Sequence, residues 1–201
     1  MEKNKYNFII QGDIAEGVLP DGTPFLIDTE MIETVSEYNL HLNWKGYAIT
    51  DRDENSSKTL MLHWIVLGYQ ERPQAQIDHI NRNKTDCRRC NLRPVTNQQN
   101  CMNRGIGSRN KTGYLGTFYN RHRNYYMAKI CINNHQIYLL SSPSLERCAQ
   151  AYNFAAELLF KDFAGYKNPV PDADDELKFA VYKKCEPYLK EAALATSIGR
   201  I

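Results

Sequence analysis

Asp78 and His79 stand side by side in a stretch, residues 78–100, that is too polar for ordinary core. Asn81, Asn83, Asn91, Asn97, Gln98, Gln99 and Asn100 share the stretch, with arginines at Arg82, Arg88, Arg89 and Arg93. A carboxylate and carboxamide oxygens suit a hard cation, an imidazole beside them can deprotonate water, and arginines can sit against phosphate. These residue types at this spacing point to metal-assisted attack on a phosphodiester.

Three elements must converge to make that stretch a site. Gln76-Ile77-Asp78-His79-Ile80 reads as a short strand, Asn81 to Cys90 as a polar turn or long loop, and Asn91-Leu92-Arg93-Pro94-Val95 as the returning strand. Thr96-Asn97-Gln98-Gln99 is a capping box, which starts a helix at Asn97 and puts Asn100 about one turn into it. Two strands followed by a helix can bring Asp78, His79 and Asn100 together. Just upstream, Leu60 to Leu67 is predicted to be a buried helix in which His63 is the one polar residue. A lone histidine on an apolar stretch is by default a satisfied core residue, but its place before the Asp-His pair makes His63 a candidate accessory to the site.

The charge distribution suits a polyanionic partner. Residues 1–60 carry eleven acidic residues against five basic ones, whereas residues 79–130 carry eleven basic residues against Asp86 alone. A basic block of that length, interleaved with Asn, Gln and Tyr, is the footprint of a phosphate-backbone binder rather than a plain solvated surface. No run approaches the length of a membrane span, and the polar start is not a signal peptide, so a cytoplasmic protein is expected. Six cysteines in that compartment are expected to be free thiols. One Cys-x-x-Cys, Cys87 to Cys90, is half a structural zinc site with no second pair at zinc spacing, so zinc is not expected.

The remainder reads as α+β. Residues 1–59 suggest an acidic scaffold without chemistry of its own: a strand from Tyr6 to Gln11, a hairpin around Asp21-Gly22, a helix over Asp28 to Tyr38 capped by Asp28 or Thr29, alternation from Leu40 to Thr50, and a polar turn from Asp51 to Ser57. Residues 105–112 form a basic linker and the expected domain boundary. Residues 113–168 predict three strands (114–119, 125–132 and 136–140) and a helix from Ser144 to Phe160. After Pro169-Val170-Pro171 comes a C-terminal helix, Asp174 to Ala195, within residues 169–201.

Residues 60–104 resemble the HNH endonucleases of the phage and intron-borne homing type, with a ββα-metal core. The likeness rests on Leu62-His63, Asp78-His79-Ile80-Asn81, Asn91-Leu92-Arg93 and Thr96-Asn97-Gln98-Gln99-Asn100. Residues 110–168 resemble the APETALA/ethylene-response type of DNA-binding domain, through Asn110-Lys111-Thr112-Gly113-Tyr114-Leu115-Gly116, Ala128-Lys129-Ile130 and the run from Ala149 to Ala156. Leu140, Ser142 and Tyr126 depart from that domain's usual Gly, Phe and Trp. The resemblance implies a phosphodiester hydrolase in which His79 is the general base. It makes Asp78 and Asn100 the ligands of one divalent cation, Mg²⁺ or Mn²⁺, and has Asn91 orient the His79 ring. Cleavage is expected to leave a 5′-phosphate and a 3′-hydroxyl, in a homing or nicking endonuclease.

Double-stranded DNA is the expected partner; no membrane is implied, nothing in the sequence sets the oligomeric state, and a monomer suffices. The expected DNA contacts are Arg121, Arg123, Tyr125 and Lys129 on the sheet face, Arg109 and Lys111 in the linker, and Arg93 and Arg104 nearer the site. Tyr125 and Tyr126 face opposite sides of their strand, so one of the two must pack. A rival reading is a DNA-binding regulatory protein with a vestigial nuclease site, and a further one an RNA-binding module.

Overall fold

The Asp21-Gly22 turn forms as its composition dictates. Gly22 takes φ 87° and donates to the Leu19 carbonyl, closing β2 (Ile14–Val18) onto β3 (Pro24–Asp28). A computed structural model describes residues 6–51 and 59–197 and divides the chain into two units, 1–95 and 96–201. In the first unit β1 (Ile9–Gln11), shorter than the strand expected from Tyr6, pairs with β2, giving an antiparallel sheet of order β1-β2-β3. Its buried face carries Ala15, Phe25 and Ile27.

The helix expected over Asp28 to Tyr38 is a 3-10 turn, Thr29–Met31, running into the short α1 (Ile32–Ser36). Asp28 makes no capping bond. It sits in extended backbone, and its carboxylate accepts instead from the Arg89 backbone N–H at 2.8 Å. A hairpin of β4 (Leu40–Leu42) and β5 (Ala48–Thr50) follows, its turn held by Asn43 Oδ1, which accepts from the N–H groups of Lys45 and Tyr47. Beyond Asp51, the expected polar turn falls outside the described residues. The next helix, α2, is confined to Leu62–Val66, and Met61 pairs with Ile49 as a single bridge.

Next come β6 (Gln76–His79) and β7 (Leu92–Val95), antiparallel, with Asp78 opposite Arg93 and His79 opposite Leu92. The loop between them is tied to the N-terminal sheet: Leu26 N–H donates to the Thr85 carbonyl at 2.9 Å, and Cys87 N–H to the Leu26 carbonyl at 2.8 Å. Phe25, Ile27, Val35, Leu40, Leu62 and Val66 share one core with Ile77, Leu92 and Cys87. The acidic scaffold therefore anchors the segment that bears the candidate chemistry.

The second unit starts at α3 (Asn97–Met102), capped reciprocally: Thr96 Oγ1 accepts from Gln99 N–H and Gln99 Oε1 from Thr96 N–H. Residues 110–117 form an ordered turn around Asn110, whose Oδ1 accepts from the N–H groups of Thr112 and Gly113. β8 (Thr117–Asn120), β9 (Tyr125–Ile132) and β10 (His135–Ser142) make an antiparallel sheet of order β10-β9-β8. The β9–β10 turn is Asn133-Asn134, both at positive φ, as a tight hairpin of right-twisting strands requires. β10 bulges between Tyr138 and Leu140.

Ala128, Ile130, Ile132, Ile137 and Leu139 turn inward, to the side covered by α4 (Leu145–Phe160), whose Cys148, Ala151, Ala155 and Leu159 are fully buried. Ser144 caps α4, accepting from Arg147 N–H at 3.1 Å. A fully buried Asn168 acts as a substitute backbone. Its side chain exchanges two hydrogen bonds with the main chain of Leu115, and its main chain exchanges two with the side chain of Asn153 on α4. The C-terminal helix expected as one piece is two, α5 (Asp175–Cys185) and α6 (Leu189–Ser197), separated by a 3-10 turn at Glu186–Tyr188. Pro187 has no N–H to continue the ladder, which explains the break. Leu177 and Val181 are buried as the pattern suggests, whereas Leu194 is 64% exposed.

Candidate functional site

β6 ends with two polar residues side by side in sequence, and both are buried: Asp78 is 6% exposed and His79 4%. Across the ladder, Arg93 turns its guanidinium onto Asp78, with Nε at 3.0 Å and Nη2 at 2.9 Å from Oδ2. Burial lowers the His79 imidazole to about 4; the carboxylates of Asp78 and Asp86 oppose that shift and Lys84 reinforces it. His79 is therefore a neutral ring at physiological pH, able to accept a proton.

The loop that follows is clamped by Asn91 and Asp86. Asn91 Oδ1 accepts from Asn81 N–H at 2.9 Å, and its Nδ2 donates to Asn81 Oδ1 at 3.0 Å and to the Asp86 carbonyl at 2.8 Å. Those two bonds use both amide protons, so they go to the loop and not to the His79 ring. Asp86, 1% exposed, accepts two 2.7 Å bonds from Arg88 and one from Asn81 Nδ2. Burial works against its ionisation, but the Arg88 bonds hold its carboxyl below the usual range.

His63, Tyr47 and Cys87 surround the His79 ring. The His63 and His79 rings lie edge to face at 5.0 Å between centroids, and Tyr47 packs on both. Burial, then the neighbouring His79, lowers His63 to about 3. Cys87 Sγ lies 3.9 Å from His79 Nε2 and 3.9 Å from the Lys84 carbonyl oxygen. Burial, then Asp86, pushes its thiol well above the ordinary cysteine range. One ligand atom from each of His63, His79 and Cys87 lies within 4.8 Å of the others. Cys90, by contrast, is exposed.

Residues 65–102 match the HNH endonuclease family model. Over 143 residues the chain is 29% identical to a protein of Acanthamoeba polyphaga mimivirus described as an uncharacterized HNH endonuclease, covering 71% of this chain and 74% of that one. No solved structure matches. The matched segment contains Asp78, His79, Asn91 and Asn100, and ends before residues 110–168.

Asp78, His79, Asn91, Arg93 and His63 belong to the first unit, and the remaining expected site residues to the second. Asn100 is half-buried on α3. Arg104, Arg109, Lys111, Arg121 and Arg123 are exposed. Tyr125 and Lys129 share the solvent side of β9; Arg123 Nη1 donates to Tyr125 Oη at 3.2 Å, and Lys129 Nζ lies 5.7 Å from the centre of the Phe118 ring. Tyr126 is the tyrosine that packs, its ring 5.1 Å from that of Tyr119. Arg109, Lys111 and Arg121 line a groove of about 600 Å³ together with Phe118, Tyr119 and Tyr126.

Three of the four arginines of residues 78–100 differ from expectation. Arg88 pairs with the buried Asp86 and Arg93 with the buried Asp78, whereas Arg89 pairs with Glu30 on the surface. Composition could not reveal the pairs made by Arg89 and Arg93, because Glu30 and Asp78 lie 59 and 15 residues away. Sequence also gave no sign of Cys87 beside His79, since positions 63, 79 and 87 follow no ligand spacing. Among the described residues no helix is long and apolar enough to cross a membrane.

Proposed function

We propose that this protein is a divalent-cation-dependent endonuclease that hydrolyses DNA phosphodiester bonds, with His79 as general base. The observation that carries the reading is the β6 end: a neutral, buried imidazole directly beside a buried carboxylate, inside the segment that matches the HNH endonuclease model. Asp78 fits a hard cation, because a carboxylate can accept from Arg93 and ligate a cation through different lone pairs. The family resemblance gives Asn100 as the second ligand, an assignment that rests on sequence order. When bound, Mg²⁺ or Mn²⁺ supplies charge stabilisation at the phosphate and at the leaving 3′-oxygen.

The protein's own groups do the rest. His79 takes a proton from the attacking water. With the Cys87 thiol donating to the Lys84 carbonyl, its sulfur faces Nε2 as an acceptor; this favours the tautomer with the proton on Nε2 and the lone pair on Nδ1. Asn91 positions His79 through the loop: its backbone carbonyl accepts from Ile80 N–H while its side chain clamps Asn81 and Asp86. Arg93 fixes the Asp78 carboxylate. The sheet-plus-helix unit holds the duplex, as its likeness to the APETALA/ethylene-response domain suggests, through Arg104, Arg109, Lys111, Arg121, Arg123, Tyr125 and Lys129.

The test is nicking or linearisation of supercoiled plasmid with Mg²⁺ or Mn²⁺, against EDTA. Activity that needs the cation and disappears in His79→Ala supports the reading. DNA binding with no cation-dependent cleavage would overturn it in favour of a DNA-binding regulatory protein.

A further inference from the structure

We propose that His63, His79 and Cys87 form a second cation site, specific for a thiophilic ion of the zinc class, and that filling it switches the general base off. The first part stands on geometry alone, while the consequence for cleavage rests on the nuclease reading above.

Three separately anchored backbone positions bring the ligands together. His63 is carried by α2, His79 by the end of β6, and Cys87 by a loop whose N–H is bonded to Leu26 in β3. All three are at most 4% exposed, and their ligand atoms lie within 4.8 Å of one another, with Cys87 Sγ to His79 Nε2 at 3.9 Å. Zinc bonds of roughly 2.0–2.3 Å in a tetrahedron place nitrogen and sulfur ligands roughly 3.3–3.6 Å apart, so no pair needs to close by more than about 1.5 Å. Two imidazoles and a thiolate select a borderline-soft ion and discriminate against Mg²⁺, which prefers oxygen. Three protein ligands leave the fourth position to water. Binding displaces the Cys87 thiol proton to solvent, and the thiolate offsets part of the ion's charge.

The switch follows from the valence of imidazole. A neutral ring has one in-plane lone pair. If Nε2 ligates the ion, the ring's proton must sit on Nδ1, and no nitrogen is left to accept a proton from water. A thiophilic ion would thus act against the oxygen-ligated Mg²⁺ without competing for Asp78.

The experiment is titration of the full-length, reduced protein with Co²⁺, read by the sulfur-to-cobalt charge-transfer band, followed by displacement with Zn²⁺. One equivalent of Co²⁺ should give the band in the wild-type chain and in Cys90→Ser, and the band should vanish in Cys87→Ser. Circular dichroism and thermal melting show that the variants are folded, and His63→Gln, expected to weaken Co²⁺ binding at least tenfold, is the second variant. No band in the wild-type protein, or a band that survives in folded Cys87→Ser, overturns the site. In the plasmid assay at fixed excess Mg²⁺, one equivalent of Zn²⁺ should reduce cleavage at least tenfold in wild type, and much less in Cys87→Ser relative to that variant's own zinc-free rate. Equal inhibition of both overturns the switch. A cobalt band without Mg²⁺-dependent cleavage leaves the site standing and sinks the nuclease reading; cleavage without a band does the reverse.

Discussion

In the first unit Asp78, His79, Asp86 and Asn91 are each at most 6% exposed. In the second, Arg109, Lys111, Arg121 and Arg123 stand in solvent on and beside a sheet whose other face carries the core. The first arrangement uses burial as a chemical tool. It keeps two histidines neutral and holds a carboxylate on an arginine, at the price of tying the chemistry to the stability of the loop and the β6–β7 hairpin. The second can exchange surface residues without touching the core, so the proposed duplex affinity and the stability should be separable there. Substitutions in the two regions should therefore differ in kind.

The largest effect is expected at His79, the proposed base. His79→Ala should lower the plasmid cleavage rate by about 10²–10⁴-fold, the usual contribution of a positioned general base. Single-turnover cleavage at saturating protein measures it, and a rate within threefold of wild type would remove His79 from the chemistry. Next comes the clamp. Asn91→Ala deletes three hydrogen bonds and leaves Asn81 N–H and the Asp86 carbonyl without their partner, which should destabilise the first unit by about 2–4 kcal/mol. Both tryptophans, Trp44 and Trp64, lie in that unit, so their fluorescence in a urea titration reports it selectively. A change below about 0.5 kcal/mol, the size of an ordinary surface substitution, would mean the clamp contributes nothing.

Acid should separate the regions as well. His63 and His79 are lowered in the folded chain to about 3 and about 4 by burial. Above about pH 6.5, the ordinary histidine value, the rings are neutral in both folded and unfolded chains and contribute no pH dependence. Below it the unfolded chain binds protons that the folded chain refuses, so stability falls as the pH drops from 6.5 toward 4. The loss should be about 1 kcal/mol per histidine between pH 6.5 and 5.5. The same tryptophan signal reads it, and His63→Phe should remove about half of the slope. A first-unit midpoint that does not change over that interval would mean that the rings are not held neutral.

How much of this was legible in the sequence divides along a similar line. The capping box at Thr96, the β6–β7 hairpin, the Asn133-Asn134 turn and the long strand β9 are local patterns, and each forms at or near its expected place. Three features depended on residues distant in sequence. Asp28 left its capping role because the Arg89 backbone reached it, and Arg93 left the surface because β7 lies opposite Asp78. Cys87 joined His63 and His79 because β3 holds its loop. Pro187 is different: its missing N–H is visible in the sequence, and the helical pattern around it hid the break. In the candidate site, the Asp-His pair was readable because adjacency is local. The clamp and the cluster around His79 were not, because no spacing rule links positions 63, 79, 86 and 91.

The exposed surface offers the smallest effects and the sharpest contrast. Arg121→Ala and Lys111→Ala each remove a cation from the groove that holds Phe118, Tyr119 and Tyr126. Among the described residues neither pairs with a carboxylate as Arg88 and Arg93 do, so each should change stability by no more than about 0.5 kcal/mol. If each contacts one phosphate, duplex affinity should fall and the slope of log affinity against log salt should become shallower by about 0.9. Fluorescence anisotropy with a labelled duplex at several salt concentrations measures both quantities. An unchanged slope would place the duplex elsewhere on the second unit. A fall in thermal stability as large as that expected for Asn91→Ala would erase the distinction, because the surface would then be as bound to its fold as the buried residues of the first unit.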